Sequence, residues 1–162
     1  TVADLDRAAQ YNPSSISKNG YAYAIAAIPD ADHKAAAYKR IMEDSSLSND
    51  ALTSTANGFL RGDVELRTPY YKPFFDSLLS MWDTRSIGMA TRIVRGLYPR
   101  SLYNYGSAEG TGVSDNPSVA LAQEWLRKNP SAPSALRRLI LEAQDNARRN
   151  MIGQQFNSSL SD

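Results

Sequence analysis

At 162 residues and 17.8 kDa the chain is about the size of one domain, and its 42% apolar and 22% charged residues exclude disorder as the main state. Eighteen basic against seventeen acidic side chains give a net charge of +1, which leaves no global field to hold a phosphate backbone or an anionic lipid surface, so neither nucleic acid nor membrane is an expected partner. Zero cysteines exclude disulfides and thiolate zinc sites and fit a reducing compartment; no apolar run reaches the roughly 18 residues of a bilayer span, TVADLDRAAQ lacks a signal-peptide layout, and a cytoplasmic chain is expected.

The chain opens without Met inside helix-like sequence, as expected of a piece of a longer polypeptide. Ser14 to Ile28 places Ile16, Gly20, Tyr23 or Ala24, and Ala27 at helical spacing and stops at Pro29. Its YAYAI alternation also fits a strand, but the flanking alanines and the length favour helix. Asp30 can cap a helix through about Glu43 with Ala37, Tyr38, Ile41 and Met42 on its apolar face, and Ser48 or Asn49 can cap another over Asp50 to Leu60. Leu47 falls in the polar turn between them. Thr68 and Pro69 suit a cap and first turn, followed by the aromatic stripe Tyr70, Phe74, Phe75, Leu78, Leu79 and Trp82. Pro73 inside it predicts a kink or a delayed start. Asp83 and Thr84 are expected to break and recap the chain before a stripe of Ile87, Ala90, Ile93 or Val94, and Leu97. Residues 100–117 read as a long Gly-containing loop. Helices over Ser118 to Lys128 and Ala132 to about Gln155 follow, and 156–162 is expected to fray. No convincing strand remains. The expected fold is a single all-α domain over 1–162, stacked antiparallel helix pairs in a small HEAT- or armadillo-like solenoid or an irregular bundle.

Chemistry is sparse. The only histidine, His33, excludes a self-contained two-His or three-His metal site and reads as an exposed first-turn residue beside Asp30 and Asp32. No phosphate-binding Gly-rich motif is present, and no carboxylate pair stands out. The aromatic stripe reads better as core than as a ligand groove. Arg137, Arg138, Arg148 and Arg149 form two doublets close to one face of the last helix, either an anion-binding ridge or, as the default, a solvated face pairing with Glu142 and Asp145. Arg85, Arg92 and Arg95 lie on another helix opposite its apolar side.

In order, Gly58-Phe59, Leu66, Pro69-Tyr70, Phe74-Phe75, Trp82, Arg85-Ser86, Gly96 to Pro99, Trp125 and the Ala135 to Leu139 segment ALRRL resemble the C-terminal helical domain of bacterial aminopeptidase N, the zinc metallo-aminopeptidase family, in its actinobacterial form. The similarity runs in one register from about Asp30 to Met151 and departs from the family pattern at Pro73, at Gly88-Met89 and in the Gly-rich 100–116 stretch. It implies a non-catalytic domain that closes a substrate chamber over a preceding catalytic domain of the same polypeptide. That domain would hold the zinc and the general base and remove N-terminal residues from peptides. No catalytic, metal or cofactor residue maps onto this chain. Arg137 or Arg138, and secondarily Arg92 or Arg95, are the candidates for contact with the substrate's C-terminus. A free-standing helical adaptor binding a protein partner is the alternative.

Overall fold

The computed structural model describes residues 2–11, 14–99 and 113–159. Among them there are eight α-helices and no strand: α1 (Val2–Tyr11), α2 (Ser15–Ala27), α3 (Ala31–Glu43), α4 (Asn49–Phe59), α5 (Tyr71–Thr84), α6 (Ile87–Leu97), α7 (Pro117–Lys128) and α8 (Ser134–Ser159), with short 3-10 turns at Thr68–Tyr70 and Val113–Asp115. The all-α class is the one the sequence leads to. No helix among the described residues is long and apolar enough to cross a membrane.

Side-chain caps set most of the boundaries. Ser14, Asp30, Ser48, Ser86 and Asn116 each accept from a backbone amide two or three residues on, at 3.2, 2.9, 3.2, 3.4 and 3.0 Å, satisfying donors that a helix start leaves open. Three expectations need correction. Thr68 and Pro69 form a 3-10 turn, and α5 starts only at Tyr71. Pro73 is then its third residue, where the missing amide has no helical partner to lose, so the outcome is a delayed start. Asp83 and Thr84 do not break the helix, because the recap falls to Ser86. The last helix continues past Gln155 to Ser159. Of the predicted loop, 100–112 lie outside the described residues, as do 160–162 of the tail.

Helices α2, α4, α6 and α8 touch in succession as one layer; α5 packs beside α7, while α3 bridges α2 and α4. Contacts pass chiefly between neighbours, the property of a stacked, solenoid-like arrangement. Small residues set the spacing in the first layer. A Cβ on Gly58 would lie 2.2 Å from the Tyr23 carbonyl oxygen, and one on Gly96 would lie 2.8 Å from the Ala56 Cβ. One continuous core runs from Ala26 to Met151 and includes Ile41, Leu52, Phe59, Phe74, Phe75, Leu78, Ile93, Leu136 and Ile140. Ile16, Leu79 and Ile87, all read as stripe residues, are exposed instead, at 85%, 37% and 72%. Leu47, assigned to a polar turn, is buried.

The main surprise in the core is Lys34, which is fully buried. Its ammonium donates to the Ala26 carbonyl at 2.7 Å and the Gly58 carbonyl at 3.3 Å, and sits 5.9 Å from the Phe59 ring centroid. It therefore serves the C-terminal turns of α2 and α4 at once, where helix dipoles favour a cation. Desolvation, reinforced by the Arg67 charge and opposed by Asp30, brings its pKa down from 10.5 to about 8. The folded chain thus binds fewer protons than the unfolded one between about pH 8 and 10.5. Lys34 consequently adds stability as pH rises through that window and loses it as pH falls toward 8. Urea unfolding of wild type and Lys34→Met should show this: the stability difference shifts in favour of wild type between pH 8 and 10, and a parallel pair of pH profiles would contradict the assignment.

Candidate functional site

Among the described residues no group of three or more His, Cys, Asp or Glu is placed to hold a metal. His33 is half-buried rather than exposed, and its ring is engaged: Nδ1 lies 2.6 Å from Asp30 Oδ2, while Asp30 Oδ1 accepts from the His33 amide. That amide is the main reason the Asp30 carboxyl is held below the usual range, with the ring adding to it. The pair is a helix cap with a side-chain clasp.

The feature that gathers sequence-predicted residues is a groove of about 480 Å³ between α6 and α8. Ile87, Thr91 and Arg95 line it from α6 at four-residue spacing, one turn apart on a single face. Ser134, Ala135, Arg138, Leu139 and Glu142 line it from α8, and Trp82 enters from the end of α5. Arg138 Nε donates to Glu142 at 2.7 Å, and both groups remain largely in solvent. This bond holds the guanidinium charged. Arg95 is exposed in the last turn of α6. The groove therefore offers an apolar wall of Trp82, Ile87 and Leu139 beneath two cations and one anion, a surface suited to an apolar group carrying a carboxylate.

The other arginines are elsewhere. Arg137 Nη1 donates to the Leu126 and Asn129 carbonyls at 2.8 and 2.6 Å, closing the C-terminal end of α7. Arg92 donates to the Gly88 carbonyl one turn back on α6, and Arg149 pairs with Asp145. Arg137 and Arg138, named together from the sequence, part company because residues adjacent in a helix point about 100° apart: one meets α7, the other lines the groove. The stripe spacing points to core for both Ile87 and Trp82; the exposure of Ile87 at the α6 start and the half-buried position of Trp82 near the end of α5 make them a groove wall.

Trp82 packs against the core but is half-buried, so its truncation should cost about 1–2 kcal/mol, against about 3–5 kcal/mol for Phe74, which is 1% exposed. Urea midpoints of Trp82→Ala and Phe74→Ala compare the two directly. Equal losses would place Trp82 in the core proper.

Residues 1–149 match the model of the ERAP1-like C-terminal domain. Over 135 residues the chain is 31% identical to Aminopeptidase N of Streptomyces lividans, an alignment that takes in 82% of this chain and 14% of that protein. The chain thus spans only a small part of its relative's length. A family match across almost the whole chain, whose described residues form stacked helices, shows that this chain belongs to the ERAP1-like C-terminal domain family, as a helical module related to aminopeptidase N.

Proposed function

We propose that the chain serves as the non-catalytic C-terminal domain of a zinc metallo-aminopeptidase, closing the substrate chamber over the preceding catalytic domain while that domain removes N-terminal residues from peptides. The observation that carries this reading is the match of residues 1–149 to a C-terminal domain family, combined with similarity to 14% of an aminopeptidase. The chain's one histidine is paired with Asp30, and among the described residues no group of three or more His, Cys, Asp or Glu is placed to hold zinc. In this reading the metal and its general base belong to the preceding domain.

Arg95 and Arg138 are the residues through which this domain would touch substrate. A peptide whose N-terminus lies at a distant metal presents its C-terminal carboxylate to the closing domain, and guanidinium groups bind carboxylate through paired hydrogen bonds. Arg137 and Arg92 are engaged with carbonyls and have less reach.

Two measurements test the proposal. Purified 1–162 should release no N-terminal residue from a chromogenic aminoacyl substrate in the presence of zinc; release above a His33→Ala control would overturn it, and a start codon immediately before Thr1 would favour the free-standing adaptor. In the full-length enzyme, kcat/KM for a free-acid peptide should exceed that for its C-terminal amide, and Arg95→Ala with Arg138→Ala should shrink the preference by about two- to fivefold, the scale of solvent-exposed ion pairs. A preference that survives both substitutions would return the groove to ordinary surface.

A further inference from the structure

We propose that the pocket between α5 and α7 binds a free α-amino acid with an apolar side chain. This pocket is separate from the α6–α8 groove and has a different character. Its volume is about 290 Å³, at the lower limit of about 300 Å³ for small-molecule pockets, so it suits a ligand of amino-acid size better than a peptide segment or a nucleotide. Its apolar lining comes from Phe75, Leu79, Leu121 and Trp125. Phe75 and Trp125 are core residues showing 3% and 6% of their surface, which makes the lining rigid, while Leu79 is 37% exposed.

The rim selects the chemistry. Lys72 and Asp76 face each other one turn apart on α5 at 2.6 Å, and Glu124 and Lys128 do the same on α7 at 2.5 Å. The two walls are close enough to feel one another. Lys72 is held charged first by Asp76 and additionally by Glu124 across the pocket, and Glu124 is held charged first by Lys128, then by Arg127 and by Lys72 across the pocket. A rim of two cations and two anions attracts a lone anion or a lone cation with one hand and repels it with the other. A zwitterion meets no such conflict: its carboxylate faces a lysine, its ammonium faces a carboxylate, and its side chain covers Leu79. Each rim pair is exposed and therefore weak, so a bound zwitterion can open it. Where the proposed aminopeptidase reading holds, the ligand class is also the class of the released product; the binding itself does not depend on that reading.

The test is an NMR titration of the chain, following the two indole N–H signals with L-leucine, leucinamide and 4-methylpentanoate. With L-leucine the Trp125 signal should move and saturate in the range of about 1–10 mM, as expected of a small ligand with few contacts, while the Trp82 signal stays in place. Leucinamide, a cation, and 4-methylpentanoate, an anion, should each bind at least about tenfold more weakly, and Lys72→Gln with Glu124→Gln, both at exposed positions, should weaken L-leucine by a similar factor in a chain of unchanged helix content. An immobile Trp125 signal up to about 50 mM L-leucine, equal affinity for all three compounds, or an unaltered response in the double variant would each overturn the proposal. None of these outcomes touches the proposed function, which is read by peptide hydrolysis.

Discussion

Where α2 and α4 cross, Gly58 lies so close to the Tyr23 carbonyl and the Ala26 side chain that any larger residue would force the helices apart. Much else follows from that approach. It brings the C-terminal turns of α2 and α4 to the same place, which is why one lysine from α3 can reach the carbonyls of both Ala26 and Gly58. It fixes Phe59 beside that lysine, and Phe59 in turn meets Tyr70 edge-on at 5.5 Å, seating the 3-10 turn from which α5 begins. Further along α4, Ala56 receives Gly96 of α6, so the second close approach extends the first. A stack of this kind has few independent contacts: displacing one helix shifts the platform on which the next one rests.

The fold was largely legible in the sequence because its signals are local. Helix starts were marked by Ser14, Asp30 and Ser48, and the α5 stripe of Phe74, Phe75 and Leu78 is the core it looked like. What was missed is non-local. Ile87 and Ile16 fit their apolar stripes by spacing, yet whether a neighbour covers them depends on how far the stack extends at that point. Lys34 falls on the same stripe as Ala37 and Ile41, so a signal was present, but a charged residue at such a position is ordinarily read as a boundary of the apolar face rather than as part of it.

The candidate site was less legible. An arginine doublet carries no information about which member meets a neighbouring helix, and here the difference between Arg137 and Arg138 is the difference between an internal closure of α7 and a side chain facing solvent. Nor does any spacing announce that Arg95 and Arg138, on separate helices, share one groove. The resemblance to a family supplied what residue chemistry did not, because a module without a metal-ligating cluster leaves few chemical signatures in its own sequence.

Tyr98, fully buried at the end of α6, donates to the Ser118 carbonyl at 2.7 Å, twenty positions further along the chain. Together with the Asn116 cap, this bond fastens the exit of α6 to the entrance of α7. The facing ends of α6 and α7 are thereby tied by one phenolic hydroxyl and one capping amide, so a displacement of either helix is passed directly to the other.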